Sequence, residues 1–148
     1  ESVCDDFADT GHPVSFDAAD RLPLICRTGS MRRAVRNLVE NALAYGGMVR
    51  VSLSSNGMEA AIIIADDGPG IPDADLERVF EPFVRLESSR NRRTGGVGLG
   101  LSIARSVIRG HGGDIRLSNR PGGGLDAVIT LPIVTGPHHD GIVFPKAA

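Results

Sequence analysis

The run Gly95-Gly96-Val97-Gly98-Leu99-Gly100-Leu101-Ser102 leads straight into a helical pattern over 99–109. Such a run calls for unusual backbone conformations or close backbone approach, which residues without a Cβ allow. At the start of a helix the same glycines expose successive backbone N–H groups beside the positive end of the helix dipole. That arrangement binds phosphate. No Gly-Lys-Ser/Thr follows at the spacing of a Walker loop, and the Gly-x-Gly-x-x-Gly dinucleotide spacing is absent. A flexible linker is the competing reading of the run by itself.

The rest of the pattern predicts an α+β fold with one layer of helices on a mixed, mostly antiparallel sheet. Short strands are expected at 14–18 and 22–26. A helix is expected over 30–45, with Ser30 as its N-cap. Met31, Ala34, Val35, Leu38 and Ala42 make its apolar stripe, and Gly46-Gly47 its stop. Strands 48–54 and 58–65 flank Asn56-Gly57, a strong hairpin signal. A loop at 66–72, a short helix at 73–80, a polar stretch at 84–95, and strands at 114–119 and 125–131 complete the order. The whole chain, 1–148, reads as one domain with a core over about 14–133 and a tail over 134–148.

Composition narrows the function. A formal charge of −2 with no Trp and one Tyr argues against nucleic acid as a partner, which would call for a basic surface or stacking rings. No apolar run reaches the roughly 18–20 residues that span a bilayer, and the Glu1-Ser-Val-Cys4 start is not built like a signal peptide. Cys4 and Cys26 form no metal-ligand pattern and read as free thiols.

Three further groups carry chemistry. Asn37 and Asn41 are four apart and share a helix face, at the border of the apolar stripe. Their amide oxygens are hard ligands of the kind Mg²⁺ takes. Asp66-Asp67-Gly68-Pro69-Gly70 sets a carboxylate at a strand end before a tight turn, where a flat ligand can donate a hydrogen bond. Arg85, Arg90, Arg92 and Arg93 lie between Phe83 and Gly95, close enough in sequence to the glycine run to neutralise a triphosphate. Each group has an ordinary reading as well: surface amides, a common turn, a solvated loop. Together they are the parts of a magnesium-nucleotide site.

In order and spacing these segments resemble the ATP-binding domain of sensor histidine kinases, in the superfamily shared with gyrase, heat-shock chaperone and mismatch-repair ATPases. Asn37-Leu-Val-Glu-Asn41-Ala-Leu-Ala-Tyr45 matches the N box, and Asp66 to Gly70 the G1 box. Phe80-Glu-Pro-Phe83-Val-Arg85 resembles the F box, and Gly96-Val-Gly98-Leu-Gly100-Leu101 the G2 box. The His111-Gly112-Gly113 turn also fits. The resemblance implies an α/β sandwich that holds ATP and Mg²⁺ under a flexible lid. Asp66 would accept from the adenine amine, with Tyr45, Gly68, Gly70 and Ile71 around the base. Asn41 would ligate Mg²⁺, with Asn37 supporting metal or phosphates. Gly96, Val97, Gly98, Leu99, Gly100 and Leu101 would line the phosphate tail. Phe80 and Phe83 would anchor the lid, and Arg85 would reach the terminal phosphate. Asn37, Glu40 and Arg85 are the catalytic candidates, Glu40 as a base on an incoming imidazole.

The implied reaction moves the γ-phosphate to a histidine in a separate dimerisation domain of the same kinase, and then to a response regulator. His12, His111, His138 and His139 lack the acceptor signature, so the acceptor is expected outside this chain. The chain alone is expected to be monomeric, and to be a cytoplasmic part of a membrane-anchored sensor. One further departure matters, and one residue chooses within the superfamily. Ala44 stands where many members carry Lys or Arg. Asn37 stands where ATP-hydrolysing relatives place a water-activating Glu, and an amide cannot act as that base. Transfer is therefore favoured over hydrolysis. A self-contained ATPase, a serine kinase of the same fold and a nucleotide-binding module without activity are the alternatives.

Overall fold

The computed structural model describes residues 1–18, 21–84 and 99–133. Helix α1 (Ser2–Asp9) is followed by strand β1 (Val14–Ala18), helix α2 (Thr28–Gly46) and strands β2 (Val49–Ser55) and β3 (Glu59–Asp66). Two 3-10 turns, Asp73–Asp75 and Arg78–Phe80, precede helix α3 (Gly100–Gly110) and strands β4 (Asp114–Asn119) and β5 (Leu125–Pro132). The strands form one sheet in the order β1-β2-β3-β5-β4. β1 runs parallel to β2 and the other neighbours are antiparallel, so the sheet is mixed and mostly antiparallel as expected.

Alternation decides which face is covered. Leu125, Ala127, Ile129 and Leu131 of β5 are buried, in register with Asp66, Ile64, Ile62 and Ala60 of β3. Ala34, Leu38, Val39 and Ala42 of α2 and Ala104 and Ile108 of α3 close over that face. Each large apolar side chain removed from water here contributes on the order of 1.5–3 kcal/mol. The opposite face carries Ser15, Arg50, Ala65 and Asp126 along one cross-strand row. The β2–β3 hairpin turns at Asn56-Gly57, where Asn56 Oδ1 accepts from the N–H groups of Met58 and Glu59 at 2.9 and 2.8 Å.

Four expectations change. The segment 22–26 is not a strand, although Leu22, Leu24 and Cys26 are half-buried in alternation. Pro23 has no N–H to give a ladder, and Leu24 packs against the core from a connecting segment instead. The short helix expected at 73–80 is two separate 3-10 turns. Helix α2 begins at Thr28, not after a Ser30 cap, and has no side-chain N-cap bond. The imidazole of His111 takes up part of that role, since its Nε2 accepts from the Arg27 N–H at 2.9 Å. Helix α1 was absent from the sequence reading. Val3, Cys4 and Phe7 on it join the core cluster, and Asp6 pairs with Arg32 and Arg36 of α2. The Val3-x-x-x-Phe7 spacing is the signal that could have revealed it.

Candidate functional site

The site begins on α2, where Asn37, Asn41 and Tyr45 follow one another four residues apart on a common face. Both asparagines are half-buried and Tyr45 is exposed. Asn37 Nδ2 donates to the backbone oxygen of Gly100 at 3.4 Å, which fixes the start of α3 beside the asparagine face. Leu99 is half-buried, Gly100 is exposed, and Leu101 packs on the core. The first N–H groups of α3, with the dipole behind them, therefore stand next to the Asn37 amide. Glu40 lies on an adjacent face, exposed, with Arg36 Nη1 at 3.9 Å from its carboxylate.

Asp66 ends β3 with its carboxylate on the helix-covered face, and it is only 4% exposed. Oδ1 accepts the Gly68 N–H at 2.8 Å. Burial pushes this carboxyl above the ordinary Asp range. The N–H groups of Gly68 and Leu125 oppose that push, and the charges of Asp67 and Asp126 add to it. The glycines around it act by close approach. A Cβ on Gly46 would overlap the Asp66 side chain, and one on Gly68 would stand 2.6 Å from the Tyr45 backbone oxygen. A Cβ on Gly124 would overlap the Asp66 backbone oxygen. Only glycine fits at these three places, so the end of α2 and the β4–β5 turn close directly on Asp66.

The loop beyond Asp66 is held from β4. Asn119 Oδ1 accepts the Ile71 N–H at 2.9 Å, while Asn119 Nδ2 donates to the Ile71 oxygen at 2.6 Å and to Asp73 Oδ1 at 3.0 Å. Gly70, at φ 76°, passes so close to Asn119 that any Cβ there would overlap its amide.

Phe80 is buried, whereas Phe83 is 72% exposed and adopts φ 65°. Arg105 of α3, itself 9% exposed, lies over the Phe80 ring and pairs with Glu77 and Asp114. Arg109 is the first cause that holds the Asp114 carboxyl down to about 2, opposed by burial and aided by the Ile115 N–H and Arg105. Arg85, Gly96, Val97 and Gly98 lie outside the described residues, as do Arg90, Arg92 and Arg93.

The structure thus brings Asn37 together with Gly100, and Asp66 with Gly68 and the end of α2. Sequence reasoning did not identify Gly46, Arg105, Asn119, Arg120 or Gly124 as parts of the site. Gly46 carried a local signal as a helix stop and Gly124 one as part of the Gly122-Gly123-Gly124 run, but neither signal says buttress.

Residues 27–135 match the family model for histidine kinase-, DNA gyrase B- and HSP90-like ATPases. The chain is 39% identical over 130 residues to the sensor-like histidine kinase SenX3 of Mycobacterium bovis, a match covering 86% of this chain and 32% of SenX3. It spans about a third of the length of such curated relatives. The catalytic domain of the histidine kinase ThkA superposes with a TM-score of 0.76 at 25% identity, covering 89% of this chain and 90% of that one. Full-length ShkA, solved in complex with AMPPNP, aligns with a TM-score of 0.75 at 25% identity, over 93% of this chain and 30% of its own. With its fold, its ordered motifs and these matches, the chain belongs to the histidine kinase-, DNA gyrase B- and HSP90-like ATPase family, as a catalytic ATP-binding domain of the histidine kinase type.

Proposed function

We propose that this domain binds ATP with Mg²⁺ and supplies the γ-phosphoryl group to a histidine on a separate dimerisation domain of a sensor kinase. The observation that carries the reading is the convergence of two half-sites on α2. At one end Gly46 seats the buried Asp66, an acceptor matched to the adenine amine. Toward the other, Asn37 meets the start of α3, a donor of N–H groups to phosphate. Base and phosphates of one nucleotide would then lie along a single helix.

Asn37 and Asn41 fit a magnesium ion that arrives with the nucleotide. They offer neutral oxygens and no charge, and among the described residues no group of three His, Cys, Asp or Glu could hold a metal alone. Phosphate oxygens would complete such a shell, and the ion would neutralise charge on the phosphates. Asn41 is the principal ligand in this reading and Asn37 its support. Arg85 would meet the terminal phosphate, and Glu40 would accept a proton from the incoming imidazole. The transfer breaks the bond between the γ-phosphorus and the β,γ-bridging oxygen and forms a phosphorus–nitrogen bond, with ADP as leaving group. Positioning and charge neutralisation are the protein's share. The phosphoryl group would pass on to an aspartate of a response regulator.

No described helix is long and apolar enough to cross a membrane. Relatives named as sensor kinases support a place in a sensor protein; the reading sets the domain on the cytoplasmic side of a membrane-anchored one, with the isolated domain a monomer. The test is a calorimetric titration of ATP with Mg²⁺, recorded beyond saturation. Binding heat with a flat baseline is expected. Continued heat would mean hydrolysis and overturn the transfer reading, and absence of binding would leave a module without nucleotide.

A further inference from the structure

Arg120 follows Asn119 directly at the end of β4, and the two residues reach opposite ends of the same loop. Asn119 holds the far end through three hydrogen bonds to Ile71 and Asp73. Arg120 holds the near end, with Nη1 at 3.5 Å from Asp67 Oδ1 and Nε at 3.4 Å from Asp126 Oδ1. Among the described residues Asp126 Oδ1 is buried and has no hydrogen-bond partner, so the Arg120 charge is what offsets it. The Arg120 backbone closes the following turn, its N–H donating to the Gly124 oxygen at 2.9 Å and its oxygen accepting from Gly123 at 3.1 Å. Gly124 in turn lies against the Asp66 backbone.

Arg120 and Asp67 line a cavity of about 240 Å³ together with His12, which precedes β1, and with Ser15 and Arg50 of the sheet's open face. Asp66 lies on the helix-covered face. The Arg120 contacts are therefore made behind the carboxylate rather than beside a ligand.

We propose that Asn119 and Arg120 form a two-point clamp that fixes the Asp67–Asp73 loop, making both positioning residues for recognition of the adenine base. This rests on the nucleotide reading above. The clamp acts at the base end, so its loss weakens ATP and ADP by the same factor. Arg120 also faces the two carboxylates, Asp67 and Asp126, whose charges oppose ionisation of Asp66.

The experiment measures dissociation constants for ATP and for ADP, both with Mg²⁺, alongside amide hydrogen exchange of the nucleotide-free domain. Arg120→Gln and Asn119→Ala are each expected to weaken both nucleotides by roughly three- to tenfold, the scale of one lost hydrogen bond or ion-pair contact. Exchange at the Gly68 and Ile71 amides should quicken by a similar factor while the core strands stay protected. Arg120→Lys should keep most of the affinity. Arg120→Gln combined with Asp126→Asn should regain stability but not affinity, because the uncompensated Asp126 charge is removed while the Asp67 contact stays lost.

Folded Arg120→Gln and Asn119→Ala variants with affinities within about twofold of the parent and unchanged exchange would overturn the clamp. Loss confined to ATP would overturn it too, since that places the effect at the phosphates. If Arg120→Gln fails to fold, Asp67→Ala, which removes the near-end contact from its other side, and Asn119→Ser carry the same comparison. If the parent domain binds neither nucleotide, the nucleotide reading fails. Exchange at Gly68 and Ile71 then decides the clamp alone: faster exchange in the variants supports it, and unchanged exchange overturns it.

Discussion

The Arg105 guanidinium lies 4.0 Å from the centroid of the Phe80 ring, with Glu77 at 2.5 Å and Asp114 at 3.2 Å from its nitrogens. Phe80 precedes the polar segment expected to form the lid, and α3 follows it. One side chain on α3 therefore ties the two flanks of that segment together. Arg105→Ala removes the ring contact and both ion pairs. Glu77 is 79% exposed and regains water at little cost, so the loss is set near 1–2 kcal/mol. Thermal unfolding should shift down by roughly 3–8 °C, and a Glu77→Gln variant by much less.

Asp66 separates binding from stability. Its folded-state carboxyl titrates above the ordinary range, so the folded form takes up a proton more readily than the unfolded one. That contribution to stability is full below the unfolded value and is lost as pH rises through the folded one. At neutral pH the buried charge is thus a cost. Asp66→Asn should melt at or above the parent temperature at pH 7 yet bind ATP on the order of ten- to a hundredfold more weakly, the scale of a charged hydrogen bond.

Nucleotide affinity should show the opposite pH trend. Only the ionised Asp66 accepts from the adenine amine without a competing proton. ATP affinity should therefore decline on acidification from a pH above the usual 3.8 of an aspartate. A titration series between pH 4 and pH 8 checks this (roughly the span of ordinary and raised carboxyl values). A flat profile would remove Asp66 from base recognition.

Asp114 behaves in the usual acidic sense. Its carboxyl is held to about 2 in the folded chain against 3.8 ordinarily, with Arg109 the first cause. The stability it gives is present above the ordinary value and lost as pH falls toward 2. With the side chain 36% exposed, screening limits it to about 1 kcal/mol. Asp114→Asn should lower the melting temperature near neutrality and have no effect near the lower limit.

Gly46→Ala tests the seating of Asp66 by α2. The added Cβ would overlap the Asp66 Cβ, which no rotamer change can move away, and Oδ1 is held by the Gly68 N–H. Helix or carboxylate must shift. Overpacking of this kind costs about 1–3 kcal/mol. ATP affinity should fall with it, whereas Gly47→Ala, with nothing within 4 Å of its Cβ but a φ of 78°, should cost stability and leave affinity near the parent's.

Much of the site was legible because its chemistry is written in local runs. Asn37 and Asn41 declare a shared face by spacing alone, Asn56-Gly57 declares a hairpin, and the strand before Asp66 puts its carboxylate at a defined end. Where the reading failed, a local pattern met a tertiary decision. The alternation of Leu22, Leu24 and Cys26 was real, but Pro23 and the absence of a pairing partner kept the segment out of the sheet. Val3 and Phe7 had helical spacing too sparse to stand out from the acidic residues around them.

By itself the amino-acid order determined the fold class, the family and the residue types from which the proposed nucleotide site is drawn, because periodicity, turn chemistry and box spacing are properties of neighbours along the chain. The tertiary structure alone decided what surrounds those residues. Gly46, Asn119, Arg120 and Gly124 reach Asp66 or its loop from other elements, and Arg105 reaches Phe80 from α3. Burial, opposed charge and the exclusion of a Cβ act through space at a few ångströms, and no run of neighbours encodes them until the sheet register and helix packing bring distant positions together.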